Sequence, residues 1–528
     1  MTIAENECDQ PTPLIRGFRR IRLRISCVAI AIATVLLGGC ATGMKQWVQQ
    51  GFKVGPEYAR PPAQVAGEWI ETADPHLAHQ NADSQWWTVF ADPMLEGLIA
   101  GASQQNLRLK EAGARILESR ARLAVARGSL FPQRQEAFGS FAHTQLSNTI
   151  ANPKNEPYFD NWNTGFNASW ELDFWGRFRR NVEFSEATLD AAVEDCHDAL
   201  VLLQAEVASA YIQIRVLQER IELAKRNVEL QQRTLALADL RYRGGKTTKL
   251  DVTQARENLA ATQALIPVLA GSLRESQNAL CILLSVPPQD LQARLGRSPI
   301  PQTPSTVAVG IPAQLLTRRP DVRRAERRLA AQCARIGIAE SELYPRIAIT
   351  GAIGYESRNG STLFQSDSFA GIIGPAFRWN ILDYGRIVND VRAEEARFQQ
   401  LVFNYQDTVL RANREVEDAI SRFLREHERV AFLKEGVAAA EESVETAQGQ
   451  YQNGKVDFQR LVDSERALVR FQDELAAGRG RIVLEVVAIY KALAGGWQVG
   501  RGPGQSNGGQ PPVAQPTAEV KLDRAPLP

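Results

Sequence analysis

Few residues in this chain of 528 are spaced for covalent chemistry. Cys40 is one of them. It follows Leu37-Gly38-Gly39, small residues that give a peptidase access to the bond before a thiol, and a thiol is a nucleophile that can carry acyl chains. Catalytic spacings are otherwise missing: there is no Gly-x-x-x-x-Gly-Lys-Ser/Thr phosphate loop, no Gly-x-Ser-x-Gly turn and no His-Glu-x-x-His pair. Five histidines occur (His76, His79, His143, His197 and His427), and only His76 and His79 lie close together, too loosely for a zinc site. They read as part of a surface segment. Cys196, Cys281 and Cys333 stand without a Cys-x-x-Cys pair and read as small apolar packing residues. The expectation is a protein that is not an enzyme and holds no metal or cofactor beyond lipid on Cys40.

What precedes Cys40 agrees with that. Arg16, Arg19, Arg20, Arg22 and Arg24 lead into an apolar run from Ile25 to Leu37, shorter than the roughly 20 residues a spanning helix needs. Residues 1–39 therefore read as a secretory signal closed by a bacterial lipobox, and residues 40–94 as a lipid-anchored N-terminal segment. Acyl chains contribute about 0.8 kcal/mol per buried methylene, so two or three of them hold a chain to a leaflet. Ala41, where an Asp tends to retain lipoproteins in the inner membrane, favours the outer membrane. A net charge of +1 gives no cationic excess for nucleic acid, while 44% apolar and 23% charged residues suit a chain with a buried core.

The elements around these residues come in two copies. Asp173-Phe174-Trp175-Gly176-Arg177 and Leu382-Asp383-Tyr384-Gly385-Arg386 are offset by 209 positions, as are Tyr242-Arg243-Gly244-Gly245-Lys246 and Tyr451-Gln452-Asn453-Gly454-Lys455. Between those landmarks apolar residues recur at every seventh position: Val193, Leu200, Val207, Ile214, Ile221, Val228 and Leu235, then Val402, Val409, Val416, Phe423, Val430, Val437 and Val444. A second row lies three residues on, with Leu203, Leu217 and Ala238 in one copy and Ala412, Leu433 and Ala447 in the other, the pattern of helices packed as coiled coils. Neither stretch contains proline, so long helices are predicted over 176–243 and 385–452, each about 100 Å long at 1.5 Å per residue. Shorter helical patterns flank them, and the run Arg323-Arg324-Ala325-Glu326-Arg327-Arg328 reads as a solvated helix face.

Before each long helix the period drops from seven to two. Trp162, Thr164, Phe166, Ala168, Trp170 and Leu172 alternate with polar or small residues, and Ile373, Phe377, Trp379 and Ile381 do the same. Strands are predicted at about 136–147 and 162–174, then about 347–357 and 369–382, with one apolar and one polar face as in a membrane barrel. Four strands cannot close a barrel and an open edge cannot face lipid, so the chain must associate: two copies give about eight strands, three about twelve. The polar positions favour the larger, water-filled solution. The fold class is mainly α with a membrane β-barrel part, built from a tandem strand-strand-long-helix unit: repeat 1 at 95–305, repeat 2 at 306–497, and a disordered tail at 498–528.

A lipobox, Gly55-Pro56-Glu57-Tyr58, Trp86-Trp87-Thr88-Val89-Phe90-Ala91-Asp92-Pro93 and the duplicated unit together resemble the TolC-like outer-membrane efflux proteins, in particular their NodT-type lipoprotein branch. The resemblance implies a homotrimer whose twelve-stranded barrel continues as a twelve-helix periplasmic tube. It also implies partners: a periplasmic adaptor protein and an inner-membrane pump, commonly of the resistance-nodulation-division class. The repeated Tyr-x-x-Gly-Lys segments match the two tips that narrow the channel entrance. At the first, Tyr242 through Val252 follows the family pattern; at the second, Gly454 and Asp463 are kept, but Gln459 and Arg460 depart from it. The expected entrance residues are Tyr242, Asp251, Tyr451, Arg460 and Asp463, with three Asp463 carboxylates forming a ring and Arg460 either partly neutralising it or latching neighbouring helices. Gly245, Lys246, Gly454 and Lys455 mark the expected adaptor-docking tips. Two other readings share parts of this pattern: the outer component of a one-step protein secretion system, and a non-conducting coiled-coil lipoprotein.

Overall fold

A computed structural model describes residues 43–78, 80, 85–147, 149, 158–304 and 306–497. The predicted signal, Cys40, His79 and the predicted tail lie outside the described residues. In chain order the main elements are α1 (Met44–Gln49), α2 (Pro93–Gln105), α3 (Leu107–Gly128), β1 (Arg134–Gln145), β2 (Tyr158–Leu172), α4 (Arg177–Arg243) and α5 (Lys249–Leu283). A second series follows: α6 (Pro320–Ser341), β3 (Arg346–Ser357), β4 (Phe369–Arg378), α7 (Arg386–Gln452) and α8 (Phe458–Ala492). The two long helices have 67 residues each and their partners 35 each, so the duplication is carried into matching element lengths.

The chain divides into two compact units. The first comprises the described residues within 43–72, 105–199 and 311–418, and holds one antiparallel sheet in the order β1-β2-β3-β4. The two repeats meet at β2 and β3. There Gly165 stands opposite Gly354, and a Cβ on either would come within 2.3 Å of a backbone oxygen of the other strand. β4 stops at Arg378, short of the predicted 382, because β3 begins at Arg346 and offers no partner beyond that pair. β2 likewise ends at Leu172, after which Asp173 turns to cap α4 by accepting from the backbone N–H of Phe178 at 2.9 Å and Arg179 at 3.0 Å. Asp383 does the same for α7 through Ile387 N–H at 2.9 Å.

The Arg-rich run of α6 is not a solvated face. Arg323 meets Glu194 at 2.6 Å, and Arg324 meets Asp195 at 2.6 Å and Asp198 at 3.0 Å, all on α4. The alternating acids and bases are a ladder joining two helices, which sequence spacing along α6 alone could not distinguish from exposed charge. The opposite side of α6 buries Val322, Leu329, Cys333 and Ile336. Cys333 is a packing residue whose thiol burial pushes up to about 11.

The second unit comprises residues 73–104, 200–310 and 419–528. Its core includes Val207, Ile214, Leu217, Phe423 and Val430 from the sevenfold rows, as coiled-coil packing requires. Trp86 is fully enclosed and stacks on Tyr490 of α8, with ring centroids 5.8 Å apart. Asp92 closes the same motif. One of its oxygens caps α2 through Met94 N–H at 2.9 Å, and the other accepts from the Tyr211 hydroxyl of α4 at 2.6 Å. His76 pairs with Asp74 at 2.8 Å and packs against His427, and no group of three metal ligands occurs among the described residues.

The contact between Gly165 and Gly354 tolerates no side chain. Gly354→Val should cost about 3 kcal/mol and should lower the yield of heat-resistant trimers on a gel, whereas Gly374→Val, where a Cβ meets nothing within 4 Å, should leave that yield unchanged.

Candidate channel entrance

Two helical hairpins end in the same turn. In the link from α4 to α5, Lys246 N–H donates to the Arg241 carbonyl at 2.9 Å and Gly245 N–H to the Tyr242 carbonyl at 3.0 Å. In the link from α7 to α8, Lys455 donates to Gln450 at 2.9 Å and Gly454 to Tyr451 at 3.0 Å. This crossed pair of bonds satisfies the last carbonyls of a helix and requires a left-handed residue, here Gly245 at φ +68° and Gly454 at φ +73°. The repeated Tyr-x-x-Gly-Lys segments are therefore first of all a helix stop.

The side chains on the two turns differ. Tyr242 is exposed, and Tyr451 is buried in a core with Ala238, Val252, Phe458, Leu461 and Val462. The Tyr451 hydroxyl emerges from that core to donate to Asp251 at 3.0 Å, and burial raises its pKa, which keeps the proton on the donor. The Thr247 hydroxyl donates to the same carboxylate oxygen of Asp251. Asp251 sits in the first turn of α5, where the helix N-terminus favours a negative charge.

Arg241 completes the arrangement. Its guanidinium leaves α4 to donate to the carbonyls of Tyr451 at 2.6 Å and Gln452 at 2.7 Å, and lies 4.7 Å over the Tyr451 ring. A cation thus closes the C-terminus of α7 while its face rests on the phenol. Sequence reasoning missed Arg241, because its counterpart in the second repeat is Gln450 and duplication draws the eye to what is shared. It also missed Glu465, which is 1% exposed and accepts from Thr234 at 2.5 Å and Asn258 at 2.9 Å, joining α8 to α4 and α5. The available signal was an acid at an apolar spacing, between Leu461 and Leu468.

The remaining expected residues are at the surface. Asp463 is exposed and accepts from Gln459 Nε2 at 2.8 Å, while Gln459 Oε1 accepts from Gln254 of α5 at 3.1 Å. Arg460 is exposed and forms no ion pair with Asp463 in the protomer; Gln459 is the side chain that meets that carboxylate. Lys246 and Lys455 project from the turns into solvent. Asp251 and Tyr451 are brought together directly, Tyr242 and Arg460 are not, and Asp463 is linked to α5 only through Gln459.

A sheet with one apolar face, two open edges and two long heptad helices describes a protomer of a membrane duct. Comparison with known proteins agrees. The sequence pattern of the outer membrane efflux protein family matches residues 98–285 and 311–495. The chain is 31% identical over 448 residues to nodulation protein T of Rhizobium leguminosarum bv. trifolii, spanning 84% of this chain and 93% of that one. It is 29% identical over 425 residues to the pyoverdine export outer membrane protein OpmQ of Pseudomonas putida, spanning 79% and 89%. The fold matches the outer-membrane channel OprN with a TM-score of 0.80 and 31% identity, over 84% of this chain and 99% of that one. The chain belongs to the outer membrane efflux protein family. It is a non-enzymatic outer-membrane channel protein of a tripartite efflux system, with the fold of a trimeric channel.

Removing the guanidinium strands two carbonyls at the end of α7. Arg241→Ala should lower local stability of the second tip by about 2 kcal/mol, read as roughly thirtyfold faster amide exchange over residues 450–456 with little change at 240–246.

Proposed function

We propose that this channel is a passive exit duct anchored by acyl chains on Cys40 and held shut at its entrance by a tie inside each protomer, made by Tyr451, Asp251 and Arg241. The bond from Tyr451 to Asp251 carries the reading, because it joins the α7–α8 hairpin to the α4–α5 hairpin at the tip. Separating the hairpins breaks that bond and the Arg241 clamp. Net values of about 2 kcal/mol for the phenol-to-carboxylate bond and about 2 for the Arg241 clamp put the tie at about 4 kcal/mol per protomer, within reach of a partner's binding energy. In a trimer Asp463 supplies one carboxylate from each copy, and three such groups at a constriction attract cations and repel anions.

Nothing in the sequence supplies a nucleotide site, so the driving energy comes from an inner-membrane pump, of the resistance-nodulation-division class by the resemblance set out above. A periplasmic adaptor would seat on the turns at Gly245, Lys246, Gly454 and Lys455, whose two lysines offer it cationic contacts.

Single-channel recording in planar bilayers tests the gate. Tyr451→Phe and Asp251→Asn should each raise mean conductance severalfold, and wild-type conductance in both would remove the tie from the gate. Asp463→Ala should reduce the preference for cations, and unchanged ion selectivity would take Asp463 out of the constriction.

A further inference from the structure

The segment just after Cys40 carries an apolar face that the protomer leaves uncovered. On α1, Trp47, Met44 and Val48 occupy a continuous arc about 100° wide, with Lys45, Gln46 and Gln49 on the other side. Trp47 spends its end of the arc on the protein, with its ring 4.8 Å from Phe52, 5.3 Å from Phe174 and 5.4 Å from Trp175. The other end is open: Met44 is 71% and Val48 51% exposed, with Phe52 beside them at 49%.

The helix cannot roll to hide this face, because the residues after it are riveted to the start of α4. Arg179 donates to the Gly51 carbonyl at 2.5 Å and the Phe52 carbonyl at 2.8 Å, and Val54 N–H donates to the Trp175 carbonyl at 3.0 Å. Arg180, almost wholly buried, holds the carbonyls of Val54 at 3.0 Å and Gly55 at 3.1 Å, and Lys53 pairs with Glu183 at 2.5 Å.

Its position is set by the sheet. Trp162, Phe166 and Trp170 are the exposed apolar row of β2, and Phe174 continues that row past the end of the strand, itself exposed and in contact with Trp47. The open face of α1 thus prolongs the lipid-facing surface of the sheet at the end where α4 begins. Cys40 lies four residues before Met44, a span of at most about 14 Å.

We propose that α1 is a membrane foot: Met44, Val48 and Phe52 insert among the acyl chains of the periplasmic leaflet, and Lys45 reaches the phosphate headgroups. The occupant of the face is phospholipid. Flexible acyl chains on Cys40 tether the protein without fixing its depth, whereas a helix riveted to the sheet-helix junction sets the level at which the barrel sits. The proposal rests on the outer-membrane channel reading and stands apart from the anchor at Cys40, and its test separates the two.

A benzophenone side chain is placed at position 44, 48, 166 or 455 of the full-length protein, the trimers are reconstituted in phosphatidylethanolamine and phosphatidylglycerol vesicles, and photoadducts are read by mass spectrometry. Positions 44 and 48 should give lipid adducts within about threefold of position 166 and at least tenfold above position 455. Adducts at 44 and 48 no more frequent than at 455, or adducts to a second copy of the chain in their place, would overturn the foot. Acylation is read from the intact mass of the same sample. An unacylated chain with lipid adducts would discard the anchor and keep the foot; an acylated chain without them would do the reverse.

Discussion

A strand in hydrocarbon must have every backbone N–H and C=O paired, since no water is present to replace a missing partner and each orphan costs several kcal/mol. β2 and β3 meet this condition on both sides, while β1 and β4 each keep one open edge. The lone protomer is therefore incompatible with the membrane, and association, which in this fold is trimeric, is a requirement of hydrogen bonding before it is a matter of function. Closing the sheet also governs the helices. Asp173, directly after β2, and Asp383, five residues after the end of β4, cap α4 and α7, so each pair of strands hands the chain to one long helix through the same carboxylate contact.

Duplication supplied two copies of one mechanical part, and the tips show where they have diverged. The backbone turn is the same at Gly245 and Gly454, down to the two crossed hydrogen bonds. Around it, Tyr242 is exposed and Tyr451 buried, and Arg241, whose own repeat-mate is Gln450, faces the C-terminus of α7. The α4–α5 hairpin provides the acceptor Asp251 and the cation Arg241; the α7–α8 hairpin provides the phenol and the carbonyls that they hold. Such a division of roles lets one hairpin serve as frame and the other as moving part, which two identical hairpins could not do.

Much of this fold was legible because it is periodic. A strict seven over Val193 to Leu235 and an alternation over Trp162 to Leu172 report helix and strand directly, and the 209-residue offset reports the repeat. The contacts between the two tips are not periodic. Arg241 acts on a carbonyl 210 residues away, and nothing in its neighbours says so. The Arg323 to Arg328 run misled for a related reason: alternating charge along one helix looks alike whether its partner is water or α4, and only the facing residues Glu194, Asp195 and Asp198 decide. Strand ends were misplaced where register with a neighbour, and not the strand's own alternation, stopped the pairing. The tips were legible as a pair of turns and illegible as a tie.

The proposed tie also bears on how a duct in the outer membrane would stay shut without a source of energy. Tyr451 belongs to two environments, with its ring in the apolar core of the tip and its hydroxyl on Asp251. Moving the α7–α8 hairpin away exposes part of that ring as well as breaking the hydrogen bonds, for a cost of at least about 4 kcal/mol in one protomer. If the three protomers of a trimer open together the cost is about 12 kcal/mol, and at about 1.4 kcal/mol per tenfold the open state falls below one part in 10⁸. A closed duct is then the resting state with no partner present. A partner that binds the open form better by only about 4 kcal/mol at each of three equivalent sites offsets the whole penalty, a modest demand on each interface. Threefold symmetry makes a weak tie into a tight seal, and the same symmetry lets three modest contacts release it.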